Sequence, residues 1–181
     1  AGMYIYTGSA NVQPGNKIRV TGKVITYSSE IEIEPTKIEV ISTGNPVPTA
    51  LVVTPSGVND DMQGELVALE NVTITDLAAS GTYGTFEFQA LAENGETVLV
   101  RHDNRTGLEY SEFIKHFSEG DKVNLTGISA IFNNVYQLKT LGLESFDLVN
   151  KPAVYASKYA GTVTVNTKIE LASGVENSTI Y

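Results

Sequence analysis

The sequence predicts an all-β protein built mainly from antiparallel strands, and two observations lead to this prediction. The segment at residues 15–22, Gly-Asn-Lys-Ile-Arg-Val-Thr-Gly, returns at residues 120–127 as Gly-Asp-Lys-Val-Asn-Leu-Thr-Gly. Each copy has a turn, a strand of alternating polar and apolar residues, and a second glycine where the backbone must bend or approach another strand. Internal repetition of this kind indicates that one small β unit has been built twice.

Segments rich in β-branched and aromatic residues recur along the chain, separated by clusters of Gly, Asn, Pro or Ser. This pattern is typical of strands with one wet face. The predicted strands are Met3 to Thr7, Lys17 to Tyr27, Glu30 to Ile41, Glu65 to Asp76, Thr85 to Ala90, Thr97 to Arg101, Lys122 to Phe132 and Tyr136 to Val149.

One helix is predicted, from Leu108 to Glu119, with Ser111 as its N-cap and Gly120 as its terminator. Its apolar residues Leu108, Phe113, Ile114 and Phe117 share one side at helical spacing, so burial is expected for them. Three strands, a helix and two strands is the order of a five-stranded Greek-key barrel, the OB-fold. The sequence therefore predicts an OB-fold-like barrel with one short helix, plus a partial second OB-like unit.

The domain boundaries follow from this assignment. Residues 64–150 form the complete module, whereas residues 1–43 contain only strands three to five, with Gly2 to Tyr6 as the third. Residues 44–63, which contain three prolines, read as a connector. Residues 151–181, with strands expected at Thr162 to Leu171 and Ser178 to Tyr181, either begin a further β domain or complete the first module. Such completion would occur within one chain or by exchange in a homodimer.

Composition excludes several classes of function. A formal charge of −9 argues against a general polyanion binder, because Lys and Arg supply most of the affinity in non-specific nucleic-acid binding. The chain has no cysteine, which excludes disulfides, thiolate metal sites and a thiol nucleophile. It has no apolar run of about 18 residues, so no membrane insertion is expected, and its start lacks the regions of a signal peptide.

Several strings together resemble the OB-fold modules of large secreted bacterial nucleases and 5′-nucleotidases. They are Gly2 to Gly8, the two repeated strands, Glu65 to Ile74 and Asn134 to Leu138. Residues 152–181 resemble the opening strands of the β-sandwich at the C-terminus of chitobiase. The first resemblance implies a non-catalytic segment of a longer secreted or cell-wall-associated bacterial protein, with the catalytic domain elsewhere and nucleic acid as the natural ligand.

The best candidate site is the run from Arg101 through His102 to Arg105, directly after the third strand of the complete module. Two guanidiniums and an imidazole at a barrel rim could hold a phosphate and stack on a base. The alternative is a solvated loop, which Asp103 favours. Tyr83, Phe132 and Tyr136 lie near turns and are the aromatic candidates for base stacking, Tyr4 and Tyr6 are divided between core and surface, and Phe86 and Phe88 are expected to fill the barrel.

Catalytic and metal-binding patterns are missing from the sequence. Neither histidine has zinc-ligand spacing, and Asp60 and Asp61 lack a third ligand. A solvated or edge-protecting row on one face of a strand is expected for Glu30, Glu32 and Glu34. No nucleophile elbow or Walker loop occurs, so no catalytic residue, metal or cofactor is expected. The leading hypothesis is an accessory module that positions single-stranded nucleic acid for another domain of the parent chain. The alternatives are a structural spacer between domains and a carbohydrate- or wall-binding module.

Overall fold

The computed structural model describes residues 2–8, 10–81 and 84–149, together with the backbone of two further short strands near the C-terminus. The chain divides into two compact units, Ala1–Val149 and Asn150–Tyr181. The strands expected at 162–171 and 178–181, and their pairing with the first module, lie outside the described residues apart from Leu171.

A three-stranded sheet opens the first unit. It contains β1 (Tyr4–Ile5), β2 (Lys17–Tyr27) and β3 (Glu30–Ser42) in the order β1-β3-β2. The central strand β3 runs parallel to β1 and antiparallel to β2. Ser28 and Ser29 form the turn between β2 and β3 with φ of 47° and 76°, the left-handed backbone of a type I′ hairpin.

The connector carries the short strand β4 (Leu51–Val52) and two 3₁₀ turns, Pro55–Gly57 and Asp60–Met62. The elements that follow it are β5 (Leu66–Ala79), β6 (Phe86–Leu91), β7 (Thr97–His102), a 3₁₀ turn (Asn104–Thr106), α1 (Tyr110–Phe113), β8 (Lys122–Phe132), β9 (Val135–Thr140), a 3₁₀ turn (Leu143–Ser145) and β10 (Phe146–Leu148). In the second unit, β11 (Val154–Ala156) pairs antiparallel with β12 (Leu171–Ser173).

Five of these strands close into a barrel. β5 pairs antiparallel with β6, β6 pairs antiparallel with β7, and β7 runs parallel to β9. β9 is antiparallel to β8, and β8 returns to pair antiparallel with β5. With α1 between the third and fourth barrel strands, this is the predicted all-β, OB-fold-like Greek-key barrel.

An aromatic stack under α1 forms the centre of the core. Phe86 lies 4.3 Å from Phe113, and Phe113 lies 5.0 Å from both Phe117 and Phe146, measured between ring centroids. All four rings are buried, as is Phe88. The expectation that Phe86 and Phe88 fill the barrel is therefore confirmed, because the alternation along β6 turns both rings inward.

The helix is shorter than predicted. It covers Tyr110–Phe113, its N-cap is Glu109 rather than Ser111, and turns carry the chain on to Gly120 at φ 90°. Burial is confirmed for Leu108, Phe113 and Phe117, but the prediction for Ile114 is wrong because its side chain is 45% exposed. One short turn of helix over a barrel end has room to bury only a narrow apolar stripe.

The last predicted strand, Tyr136 to Val149, is interrupted. β9 ends at Thr140, and a 3₁₀ turn at Leu143–Ser145 leads into β10. The Ser145 hydroxyl accepts hydrogen bonds from the backbone N–H groups of Leu141 and Gly142, which fixes this corner. β10 then pairs antiparallel with β8, so the chain turns back along the barrel instead of continuing β9.

The aromatic stack makes a testable prediction about stability. Phe117→Ala removes a buried ring that stacks on Phe113, so it should lower the free energy of unfolding by about 3–5 kcal/mol. Ile114→Ala, on the exposed side of the same turn, is the matched control and should cost less than about 1 kcal/mol. Urea unfolding followed by circular dichroism measures both, and equal losses would contradict this packing.

Candidate ligand-binding cavity

One wall of a cavity is formed by a cross-strand row on the outer face of the barrel. The row runs from Glu87 on β6 through Arg101 on β7 and Lys139 on β9 to Ile128 on β8, each residue directly opposite the next. The neighbours of Arg101 and Lys139 along their strands are buried, so these two cationic side chains point out of the barrel. Arg101 is paired with Glu87.

The three-stranded sheet supplies the opposite wall through β1 and β3. Glu30 is only 6% exposed, and its carboxylate accepts a hydrogen bond of 2.8 Å from Lys139 Nζ. The same ammonium lies 4.8 Å from the centre of the Tyr4 ring, which is a cation–π distance. A second contact holds the two sheets together at their hairpin turns, where the Ser29 hydroxyl is 2.8 Å from Asn134 Oδ1.

The 3₁₀ turn after β7 closes the third side. Asp103 accepts hydrogen bonds from the backbone N–H and from Nε of Arg105, at 3.0 Å and 2.8 Å. Arg105, through its hydrogen bond, lowers the pKa of Asp103 to about 2. The Arg105 side chain is nevertheless 82% exposed, so its guanidinium borders the cavity while most of its surface faces solvent.

Together these walls enclose a cavity of about 470 Å³. Three cationic side chains border it or lie in its walls, each paired with a carboxylate: Arg101 with Glu87, Arg105 with Asp103, and Lys139 with Glu30. Glu32, beside Tyr4 in the sheet, is also buried, and burial, followed by the nearby Glu30, raises its pKa. The exposed lining of the cavity is mostly apolar, and the charged groups in and around it are close to electrically balanced rather than strongly basic.

The expectation of a solvated glutamate row is wrong for two of its three members. Glu30 and Glu32 are buried because the face of β3 that carries them packs against the barrel, and Glu34 alone stays exposed. Alternation along β3 correctly places the three on one face, but the sequence does not reveal that a second sheet covers it.

His102 lies in the core instead of at the surface. It is fully buried, stacks on Phe86 at 4.9 Å, and its Nδ1 and Nε2 atoms lie 2.7 Å and 2.6 Å from the hydroxyls of Thr140 and Thr106. The predicted strand ends at Arg101, one residue before the end of β7, so the predicted alternation does not include His102. With both ring nitrogens paired inside the protein, His102 does not reach a ligand in the cavity.

The predicted aromatic candidates are dispersed. Tyr83 lies outside the described residues. Phe132, at the end of β8, is 43% exposed and does not line the cavity. Tyr136 is 37% exposed and borders a separate groove of about 410 Å³ together with Pro55 and Leu99. A hydrogen bond with Asp60 is the main cause of the raised Tyr136 pKa, so this hydroxyl is tied to the connector.

Of the predicted site residues, the structure brings Arg101 and Arg105 to one cavity, and it adds Lys139 and Glu30, which sequence reasoning missed. Lys139 could have been predicted from strand alternation, which places it on the same face as Arg101 once β7 and β9 are paired. Nothing in the sequence indicated Glu30, whose position depends on the packing of two distant sheets.

The chain was compared with protein-family models, curated proteins and solved structures. No protein-family model matches the sequence, and no curated protein matches it significantly. A solved structure described as "OBody AM1L10 bound to hen egg-white lysozyme" is similar at 17% sequence identity, with a TM-score of 0.43, over 60% of this chain and 99% of that one. Among the described residues, no cluster of three metal-binding side chains is found, and no helix is long and apolar enough to cross a membrane.

The buried histidine makes the stability of the protein depend on pH. Burial lowers the pKa of His102, with Asp103 acting in the opposite direction. The unfolded chain therefore takes up a proton near the ordinary pKa of about 6.5, where the folded protein does not. The contribution of neutral His102 to the free energy of unfolding should be complete above that pH. The free energy of unfolding should then fall as the pH drops from 7.5 to 5.5, by up to about 1.4 kcal/mol per pH unit.

Urea unfolding at several pH values measures this slope. His102→Gln should lose the dependence in that window, whereas His116→Gln, which removes the other, exposed histidine, should keep it. A slope that persists in His102→Gln would show that another group is responsible.

Proposed function

We propose that this chain is a non-catalytic accessory segment of a secreted bacterial multidomain protein of the nuclease or 5′-nucleotidase type, and that its cavity holds a short stretch of single-stranded nucleic acid. One observation supports the ligand: Arg101 and Lys139, on the outer face of the third and fifth barrel strands, line one cavity with Arg105 from the following turn and with Tyr4. OB-folds bind oligonucleotides on their second and third strands and the adjoining loops. The parent protein is proposed from the sequence resemblance alone.

Each side chain has a defined part in this proposal. The exposed guanidinium of Arg105 contacts a phosphate and keeps its Asp103 partner, because it has more N–H donors than Asp103 uses. The Tyr4 ring, 38% exposed, stacks on a base. Since carboxylates balance the cations, the site engages one or two phosphates rather than a long backbone.

Binding of a short single-stranded oligonucleotide should be measurable by fluorescence anisotropy at low salt. For one or two phosphate contacts, log K should fall with log salt at a slope of about −1. Arg105→Ala should weaken binding severalfold and flatten this slope, because it removes a phosphate contact.

Lys37→Ala is the matched control, since Lys37 is an exposed cation paired with Glu39 on the three-stranded sheet, away from the cavity. It should bind like the unmodified chain. No binding at low ionic strength, or equal losses in the two variants, would refute the nucleic-acid proposal.

A second candidate function, a structural spacer between domains, is favoured by a different observation. The connector and the three-stranded sheet cover part of the barrel face that OB-folds use for ligands. Pro55 and Val58 of the connector are buried near β7, and the Glu30–Lys139 pair joins the sheet to the barrel. Because its own chain occupies this barrel face, the contact between the sheet and the barrel is suited to a rigid joint.

The joint can be tested without any ligand. Lys139→Met leaves the buried Glu30 carboxylate without its donor, so it should lower the free energy of unfolding by about 1–3 kcal/mol. Adding Glu30→Gln should restore part of that loss. Lys37→Met, which breaks an exposed pair, should change stability by less than about 1 kcal/mol. Equal effects of the two lysine variants would show that the pair does not fix the joint.

A further inference from the structure

The three-stranded sheet has the same strand directions and register as three strands of the barrel. In the sheet, Tyr4 and Ile5 of β1 lie opposite Glu32 and Ile33 of β3 in a parallel pairing. In the barrel, Leu99 and Val100 of β7 lie opposite Gln137 and Leu138 of β9, also in parallel. The sequence offset that relates Lys17 to Lys122 also relates Ile33 to Leu138. β2 therefore corresponds to β8, and β3 as far as Pro35 corresponds to β9, residue by residue.

Two local features support this correspondence. The hairpin turns Ser28–Ser29 and Asn133–Asn134 both use two consecutive non-glycine residues with positive φ. A Cβ on Gly22 would meet backbone of Glu34 and Pro35 and the side chain of Ile33. A Cβ on Gly127 would meet the equivalent carbonyl of Lys139 and the side chain of Leu138. The two sheets are therefore built alike in detail.

The three-stranded sheet and the corresponding barrel strands differ in what covers their apolar faces. In the barrel, the side chains of Val100, Val123, Leu125 and Leu138 are fully buried beneath β5 and β6. The equivalent positions in the sheet are Ile5, Ile18, Val20 and Ile33, and each is only half-buried. On the same face, Val24, Ile31 and Val40 are 60%, 45% and 44% exposed. Glu30 and Glu32, on the opposite face, are the residues that pack toward the barrel.

The edges of the sheet are also unpaired within the described part of the chain. The strand order β1-β3-β2 leaves β1 and β2 as its edges. Their counterparts β7 and β8 pair with β6 and β5, the two strands of one antiparallel hairpin. An apolar face bordered by two open edges is the shape that a two-stranded hairpin fills, since it supplies backbone partners and apolar cover together.

We propose that the face formed by Ile5, Ile18, Val20, Val24, Ile31, Ile33, Ile38 and Val40 is the docking surface for a β-hairpin of the β5–β6 type. Its first strand pairs antiparallel with β2 and its second with β1. It is supplied ahead of β1 in the same polypeptide, as β5–β6 precede β7. The reason is the connection: β6 reaches β7 through the short turn 92–96, and only a hairpin placed directly before β1 reproduces it.

The register of the two sheets specifies the experiment. A copy of residues 64–96 is fused ahead of Gly2, the position equivalent to Thr97, and amide hydrogen exchange is compared in the fused and unfused full chains. In the fused protein, exchange should slow by about tenfold or more for those Lys17–Val24 amides that point to the open edge of β2, away from β3. The control fusion carries Leu69→Lys and Val72→Lys in the added copy alone, and it should leave these amides as they are in the unfused chain.

Three results would overturn the proposal. The first is unchanged exchange in the fused protein. The second is protection, already in the unfused chain, of the amides on the open edge of β2, which would mean that another segment pairs with this edge. The third is protection that rises with protein concentration, which would identify a second copy as the occupant.

A second variant pair checks the face without any fusion. Val20→Lys should leave the urea midpoint of the unfused chain nearly unchanged, because the lysine can reach solvent. Leu125→Lys, at the equivalent barrel position, should lower it strongly. Equal losses would show that Val20 is covered in the protein as it stands, and would refute an open docking surface.

Discussion

The structure depends on one strand, β8, which pairs with three others: β5, β9 and β10. It pairs with β5 from Lys122 to Ile128 and with β9 from Ile128 to Phe132, so it closes the barrel. Closure requires β9 to cross close to β8 at Gly127, where a Cβ would lie 2.7 Å from the Lys139 carbonyl oxygen. Glycine is the residue that permits such an approach. The same crossing holds the Lys139 backbone in place and turns its side chain outward, toward the cavity.

Much of the barrel could be predicted because its signals are local. Alternation predicts both ends of β8 correctly, as it does for β2 in the three-stranded sheet. The repeated glycine indicates the place where β8 and β9 approach each other. The site could be predicted only in part. Arg101 follows from alternation, whereas the burial of Glu30 depends on contact between segments about a hundred residues apart. His102 shows the effect of an error in a strand boundary. Because β7 extends one residue further than predicted, His102 is a core side chain and not a candidate ligand residue at the barrel rim.

The pairing of cations with carboxylates reconciles an acidic chain with a cavity that contains basic groups. Three isolated cations at this site would attract any polyanion, yet each has a carboxylate within hydrogen-bond or ion-pair distance. The Lys139–Glu30 pair is mostly buried, so its loss would leave an uncompensated charge, whereas Arg105 remains largely solvated. Lys139 is therefore suited to a structural role, and Arg105 to the ligand contact that we propose for it, according to their exposure.

The three-stranded sheet has two faces with different tasks, and this links the two proposals. One face lines the cavity with Tyr4 and Glu30, and the face with Val20 and Ile33 is the proposed hairpin surface. β1 has only two residues and, within the described part of the chain, pairs with β3 alone, so its other edge is open to a second strand. A hairpin that pairs with the other edge of β1 would fix Tyr4 beside Lys139 before a ligand arrives. Hairpin docking and ligand binding would then favour each other by the same free energy, since such coupling is reciprocal.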